Sequence, residues 1–270
     1  MISRYADRRV DKIWSLDEKF RLWQETELAV IRARKELGRI PSGTHRQIRD
    51  ILVSKPIDVN FIEEREKILH HDLNAFLEER ARFLPVELQV FWHERMTSYD
   101  TEEAAFARSL QSSCNMVSED LGALLRALRK LSIEHRHTPM NARTHGQEAE
   151  LQSFGKRVLT WFKDLDTARL TFVGSMENLG YSKLSGAIGT NSGIDPKLES
   201  TALGILGFKP WSGATQIMPR IIYTPIAQAL DNMVAVIDKI AIDLRLGARS
   251  GRPLWHEPFG KSQKGSSAMP

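Results

Sequence analysis

The sequence has a single cysteine and no long hydrophobic run among its 270 residues. Cys114 cannot form a disulfide within the chain, which is typical of proteins in a reducing compartment. The uncharged apolar runs are far shorter than the ~18 residues that a transmembrane helix requires. The first residues mix acidic and basic side chains and lack the apolar segment of a secretory signal peptide. These absences predict a cytoplasmic protein that has no membrane partner.

A large excess of one charge sign is also absent, because 38 Lys and Arg residues stand against 34 Asp and Glu residues. The basic residues are interleaved with acidic ones and form no stripe or arm, so the sequence does not favour nucleic acid as a partner. A mixed, solvated surface explains the formal net charge of +4. A basic pocket for an anionic ligand is the alternative.

Motifs for a metal or a cofactor are missing as well. None of the eight histidines stands in an HExxH zinc motif. Residues 185–190 contain two glycines but lack the lysine and the strand–helix frame of a phosphate-binding loop. The sequence therefore predicts neither a metal site nor a cofactor.

What the sequence does have is helical periodicity. Ser15 and Glu18 have the spacing of a capping box, and apolar residues then recur on one face until residue 38. A second helix is predicted over residues 60–82. Residues 185–219 are rich in Gly and Ser and are expected to be irregular.

Three longer segments carry apolar stripes with nearly heptad spacing: residues 103–135, 147–179 and 226–244. The first stripe includes Cys114, which is therefore predicted to lie in the core. No segment shows the alternation of a β-strand. We predict an all-α fold in which the long helices form a bundle and oligomerise to cover their stripes. A monomeric bundle fits the same spacing.

Four segments with reactive side chains lie where these helices begin or end: residues 69–73, 93–98, 143–147 and 261–270. His145 precedes Gly146 in a turn between two long helices, where it could enter a cleft and transfer protons near neutral pH. A surface histidine in a tight turn is the alternative. Ser266 and Ser267 follow a glycine, so that backbone N–H groups and hydroxyls could bind a carboxylate. Taken alone, this segment also fits a flexible linker.

Taken in order, these segments resemble the adenylosuccinate lyases, a family of the fumarase/aspartase superfamily. The resemblance is collinear over the whole chain. It rests on MISRY (1–5), ELGRIP (36–41), TPMNARTHG (138–146), KLSGAIG (183–189), ATQ (214–216), EPFG (257–260) and QKGSSAMP (263–270). The last of these resembles the start of the mobile catalytic loop of the family.

The resemblance implies an α-helical homotetramer with an N-terminal helical domain over residues 1–95 and a central long-helix bundle from residue 96. The C-terminal domain of the family and the rest of the loop are missing, so we expect a truncated chain with little activity of its own. The implied reaction is β-elimination of fumarate from adenylosuccinate, giving AMP, and from the succinyl-carboxamide ribotide of purine biosynthesis. Another lyase or cycloisomerase of the superfamily, or an inactive helical fragment, is the alternative.

The resemblance also implies roles for individual residues. His145 would be the general acid, Ser266 the general base, and His71 would position the substrate or support the acid. The remaining matched residues would bind substrate: Arg4, Tyr5, His70, Asp72, His93, Thr97, Ser98, Thr144, Gln216, Arg220 and Ser267. The chain departs from the family pattern at Tyr99, Ile221 and Ile222, where smaller or polar residues are expected.

Overall fold

The computed structural model describes residues 2–256 and 258–268 of the protein. Met1, Glu257, Met269 and Pro270, which belong to the matched motifs, lie outside the described residues. Helices make up 63% of the structure and strands 6%, which confirms the predicted all-α class. No helix in the described ranges is long and apolar enough to cross a membrane.

The backbone divides into two compact units, Met1–Val117 with Met176–Pro225 and Ser118–Ser175 with Ile226–Pro270. The first unit begins with a 3-10 turn and contains α1 (Arg8–Ile13), α2 (Leu16–Glu36), α3 (Thr44–Val53), α4 (Val59–Leu69), α5 (Asp72–Ala81), α6 (Val86–Gln89), β3 (Tyr181–Ser182), α9 (Pro196–Ile205) and β4 (Lys209–Pro210). The second contains β1 (Pro139–Thr144), β2 (Gln147–Ser153) and α8 (Phe154–Ser175). Helices α7 (Ser98–Glu134) and α10 (Thr224–Gly247) have residues in both units. The domain boundary at residue 95 stays a prediction.

Helix α2 is the central element of the first unit, and its start is the predicted one. Ser15 accepts the backbone N–H of Glu18 and so satisfies one of the unpaired donors of the first turn. The apolar face then packs aromatic rings, and Phe20 stacks on Phe76 of α5 with ring centroids 5.8 Å apart. This aromatic core fixes α5 against α2.

The helix predicted over residues 60–82 is two helices. Helix α4 ends at Leu69, and His70 adopts a left-handed conformation with φ of 51°. His71 is extended and caps α5, because its ring accepts the backbone N–H of Asn74. The prediction was wrong here because a side chain that caps a helix competes with its continuation.

A second core of the first unit lies between α2 and α9. Small residues of α2, among them Ala29 and Ala33, pack against Leu184 and Ala202. Helix α9 interrupts the segment expected to be irregular, and Asp195 caps it by accepting two backbone N–H groups. The packing of Leu184 holds the loop of residues 183–189 against α2 and α9.

The second unit contains a β-hairpin that the sequence did not predict. Strands β1 and β2 are antiparallel, and Thr144 pairs with Gln147 across a two-residue turn. The helix expected over residues 147–179 therefore begins only at Phe154. Most residues of β2 are exposed, so neither face carries the apolar alternation that marks a half-buried strand.

Helix α8 packs the predicted apolar stripe, including Val158, Trp161, Leu165 and Phe172, into the core of the second unit. Trp161 donates its indole N–H to Asp243 of α10 over 2.7 Å. The predicted stripes over residues 103–135 and 226–244 also lie on helices, α7 and α10, and the buried Cys114 confirms its core assignment.

Candidate active site

His93 and Glu27 form the first polar pair of the candidate site. His93 follows α6 with a left-handed φ of 54°, and its Nδ1 lies 2.7 Å from Oε1 of Glu27 on α2. Thr101 of α7 donates its hydroxyl to the same oxygen over 2.5 Å. Burial disfavours the charged ring, but the carboxylates of Glu27 and Asp100 raise the pKa of His93 above its ordinary value. The two carboxylates therefore shift the ring toward its protonated form relative to a histidine in water.

Asp100 and Lys183 form the second pair. In the first turn of α7, Asp100 accepts the backbone N–H of Thr97 with Oδ2 and that of Gly186 with Oδ1. Nζ of Lys183 lies 2.6 Å from Oδ1 and donates to the carbonyls of Gly186 and Gln216, each over 2.9 Å. The pair thus joins the start of α7 to the two loops that carry the KLSGAIG and ATQ motifs.

Arg220 is held by Glu103, which lies on α7 one turn after Asp100. Its guanidinium donates to both oxygens of Glu103, over 2.8 and 2.9 Å, and the backbone N–H of Met218 donates to the same carboxylate. Burial, with Glu103 next in effect, raises the pKa of Tyr223 to about 12. Glu103 therefore fixes the segment that follows Gln216 against α7.

The residues that depart from the family pattern lie on the same elements. Ser98 is the first residue of α7, and Tyr99 follows it half-buried. Ile222 is buried, whereas Ile221 is exposed. The packing of Ile222 explains an apolar side chain at that position, and nothing in the structure explains the change at Ile221.

His71 and Asp72 lie at the start of α5. The backbone N–H of Asn74 donates to Nδ1 of His71 over 3.4 Å. A nitrogen that accepts a hydrogen bond carries no proton, so the neutral ring has its proton on Nε2. Asp72 pairs with Lys19 of α2 over 2.7 Å. His70, next to them, is exposed.

Arg4 and Tyr5 lie in the 3-10 turn at the start of the chain. Both are exposed, and the Arg4 guanidinium lies 4.8 Å from the centroid of the Tyr5 ring. This cation–π contact keeps a positive charge beside an aromatic face.

His145 occupies the tip of the hairpin in the second unit. His145 and Gly146 both have left-handed backbones, with φ of 53° and 74°, the signature of a type I′ turn. The predicted turn is therefore confirmed, although it joins two strands and not two helices. The imidazole of His145 is exposed, as are Thr144 before it and Gly146 after it.

Arginines surround the turn of this hairpin. Arg249 donates to the carbonyl of Gly146 over 3.4 Å, and Arg143 donates to the carbonyl of Arg252 over 2.6 Å. Arg252 in turn pairs with Glu148 over 2.9 Å. A cavity of about 220 Å³ lies here, lined by Arg143, Gly146, Arg157, Arg249 and Trp255 among others. The hairpin is thus attached to the segment that leads toward Ser266.

Ser266 and Ser267 lie near the end of the described residues. Both are exposed. The backbone N–H of Ala268 donates to Oγ of Ser266 over 3.2 Å. A hydrogen bond donated to this oxygen stabilises negative charge on it.

The structure thus groups the predicted residues in two sets. Elements of the first unit carry Arg4, Tyr5, His70, His71, Asp72, His93, Thr97, Ser98, Gln216 and Arg220, and elements of the second carry Thr144, His145, Ser266 and Ser267. Four partners of these residues were not predicted from the sequence: Glu27, Asp100, Lys183 and Glu103. One signal was present, because Glu27 interrupts the apolar face that Trp23 and Val30 share on α2.

Comparisons with known proteins show which family and fold the chain shares. A family model described as Lyase matches residues 7–270. The adenylosuccinate lyase of Aquifex aeolicus is 34% identical over 271 residues, and that of Bacillus subtilis is 31% identical over 270 residues. Each comparison covers 100% of this chain and 62% of the relative. The chain therefore spans less than two thirds of the length of these relatives.

Solved structures with low sequence identity share the fold. A fumarate lyase from Mesorhizobium sp. BNC1 superposes with a TM-score of 0.84 at 21% identity, covering 91% of this chain and 58% of the other. The β-carboxy-cis,cis-muconate cycloisomerase of Acinetobacter calcoaceticus sp. ADP1 gives 0.81 at 18% identity, covering 92% and 59%.

Proposed function

Because the chain belongs to the lyase family whose model matches residues 7–270, we propose that the protein is an adenylosuccinate lyase. The observation that carries the proposal is the identity of 30% to 34% with six curated adenylosuccinate lyases, each aligned over 100% of this chain. The reaction is β-elimination of fumarate from adenylosuccinate, which leaves AMP. The succinyl-carboxamide ribotide of purine biosynthesis is the second substrate.

The elimination requires an acid and a base. A proton bound to carbon beside a carboxylate is removed, and the negative charge that develops must be stabilised. The departing nitrogen leaves readily only when it receives a proton. We assign the protonation to His145, since its exposed ring stands at the tip of a hairpin whose turn geometry is fixed.

Ser266 is assigned the removal of the carbon-bound proton. A serine hydroxyl is a weak base unless its deprotonated form is stabilised. The backbone N–H of Ala268, which donates to Oγ of Ser266, supplies one such stabilising contact. Ser267, the second serine of the pair, is assigned to the substrate carboxylate, together with Thr144 beside the acid.

Binding of a substrate with one phosphate and two carboxylates is assigned mainly to residues of the first unit. The ring of His93 is held by Glu27 near the start of α7, where Thr97 and Ser98 also lie. The other binding residues are Arg4, Tyr5, His70, Asp72, Gln216 and Arg220. His71 is assigned the positioning of the substrate, since its Nε2 is the ring atom that can donate.

We further propose that the protein is a homotetramer that acts in the cytoplasm. Apolar side chains remain exposed along the helices of the second unit, including Leu159, Leu170 and Val173 on α8 and Val234, Ile237 and Leu244 on α10. Apolar stripes of this length on soluble helices mark protein–protein contacts. Copies of the same helices are the partners that a symmetric bundle would supply.

The proposal is tested by following fumarate release from adenylosuccinate, using protein expressed from the complete coding sequence. We expect turnover, and His145→Ala is expected to lower kcat by a factor of about 10²–10⁴. β-Carboxy-cis,cis-muconate serves as the contrasting substrate, because the cycloisomerase with the same fold is named for it. Turnover of the muconate but not of adenylosuccinate would contradict the proposal.

A further inference from the structure

Glu27 is an unusual residue for the middle of a hydrophobic helix face. Its side chain is 0% exposed and shares the buried face of α2 with Trp23 and Val30. Oε1 receives two hydrogen bonds, but Oε2 has no partner among the described residues. Burying a carboxylate with one unsatisfied oxygen lowers stability. Stability alone therefore does not account for this residue.

One of the two hydrogen bonds of Glu27 joins it to Nδ1 of His93. The His93 side chain is 19% exposed, and within the described residues its ring makes one hydrogen bond, from Nδ1 to Glu27. The carboxylate of Glu27 accepts a hydrogen bond from Nδ1–H. This contact fixes the orientation of the ring and keeps the proton on Nδ1. Because Nδ1 donates to Glu27, Nε2 carries a proton that it can donate to a bound molecule when the ring is an imidazolium.

We propose that Glu27 is a positioning residue that holds His93 so that its Nε2–H donates to an anionic oxygen of the substrate. Thr101 completes the device, because its hydroxyl fixes the Glu27 carboxylate with respect to α7. The inference rests on the proposed function for the identity of the substrate. The pairing of Glu27 with His93 is independent of the proposed function.

The charges around the ring are consistent with this role. Glu27 faces His93 from α2, and Asp100 acts on it from α7, where Asp100 is itself paired with Lys183. Arg34, one further turn along α2 beyond Val30, lies close enough for Glu27 to influence its pKa, although burial has the largest effect and lowers it. Burial of His93 opposes the imidazolium, and the two carboxylates outweigh that effect, so the pKa of the ring is raised.

Glu27→Gln is the decisive variant. The amide keeps the size of the side chain and can still accept from Thr101, but it removes the charge that faces His93. Titration of the His93 ring by NMR is expected to show a lower pKa in the variant than in the wild type. At a pH between the His93 pKa values measured in the variant and in the wild type, KM for adenylosuccinate is expected to rise roughly tenfold, in line with the loss of one charge-assisted contact, while kcat changes less. The increase in KM is expected to shrink as the pH is lowered and His93 is protonated again.

Glu79→Gln is the matched control, because Glu79 is also 0% exposed but pairs with Arg80, and its hydrogen bonds within the described residues go to residues other than His93. It is expected to leave both the titration of His93 and the pH profile of KM unchanged. His93→Gln is the second variant, and adding Glu27→Gln to it is expected to cause no further rise in KM. Inhibition by the two products, compared between Glu27→Gln and the wild type, locates the substrate oxygen that His93 contacts. Weaker inhibition of the variant by fumarate assigns this oxygen to a carboxylate. Weaker inhibition of the variant by AMP assigns it to the phosphate.

An unchanged His93 titration in Glu27→Gln would overturn the pairing. A lower pKa with unchanged KM, or an increase in KM that is equal at every pH, would overturn the role in substrate binding. If Glu27→Gln does not fold, the same comparison is made with Glu27→Asp, which keeps the charge but shortens its reach. Wild-type protein that titrates His93 as described but does not release fumarate would contradict the proposed function and the substrate part of this inference, while the titration would still support the pairing.

Discussion

Lys183 and Asp100 form an ion pair in which both side chains are completely buried, with Nζ 2.6 Å from Oδ1. Two backbone carbonyls accept from the lysine, and two backbone N–H groups donate to the aspartate. Buried charges persist in proteins when they are paired and hydrogen-bonded in this way. The pair joins three segments that are far apart in sequence, so each charge depends on the other.

Lys183→Met is therefore expected to lower the free energy of unfolding by roughly 3–5 kcal/mol, because Asp100 stays buried without a counter-charge. Urea denaturation measures this loss. Lys239→Met is the control, since Lys239 pairs with Asp164 at the surface, where ion pairs contribute little. Equal losses of stability in the two variants would show that the buried pair has no special role.

Gly155 allows helix α8 to begin very close to the end of α7. A Cβ at this position would lie 2.3 Å from the carbonyl oxygen of Ser132. Gly155→Ala is expected to lower the free energy of unfolding by about 1–3 kcal/mol, because backbone atoms must move to make room for the Cβ. Gly174→Ala in the same helix meets nothing within 4 Å and is expected to be neutral or to stabilise by up to ~1 kcal/mol. Thermal unfolding of the two variants separates the steric effect from helix propensity.

His71 has two separable roles, as the cap of α5 and as a proposed substrate-positioning residue. Asparagine is a good capping residue but cannot replace the imidazole Nε2. His71→Asn is therefore expected to keep the stability of the wild type, whereas His71→Ala is expected to lose about 0.5–2 kcal/mol. Both variants are expected to lower kcat/KM for adenylosuccinate. Full activity in His71→Asn would limit the residue to its capping role.

Stability is expected to depend on pH through His93. Burial disfavours the charged ring, but Glu27 and Asp100 raise its pKa above the ordinary value of 6.5. A raised folded-state pKa contributes stability that is complete below the unfolded value and is lost as the pH rises through the folded value. The difference in unfolding free energy between wild type and Glu27→Gln should therefore decrease as the pH increases above about 6.5. Urea denaturation of both proteins over a pH series checks this, and a constant difference would contradict it.

The exposed apolar residues of the second unit are expected to mediate association. Leu170 on α8 is 60% exposed and Val234 on α10 is 63% exposed. Replacing both with Lys removes little packing within one chain but places charges in an interface. Size-exclusion chromatography with light scattering is expected to show a smaller assembly with unchanged helical content. Val90→Lys, at a position 62% exposed in the first unit, is the control and should leave the assembly intact.

Local features of the fold were predictable from the sequence alone. The start of α2 depends on Ser15 and the next three residues, and the long stripes of α7, α8 and α10 repeat within a few residues. Such patterns are readable because capping and amphipathic burial act between neighbours in the chain. The motifs around His145 and Ser266 are also visible in the sequence.

Pairings between distant segments were decided only by the tertiary structure. The hairpin of residues 139–153 has no buried face that would reveal it, and it depends on the left-handed turn at His145 and Gly146. Neither the contact between Glu27 and His93 nor the one between Asp100 and Lys183 can be read from spacing, because 66 and 83 residues separate the partners. The sequence by itself determined where helices form and which motifs are present. The tertiary structure decided which charges meet, because a buried charge is costly unless it is paired, and the partner can come from any segment that the fold brings near.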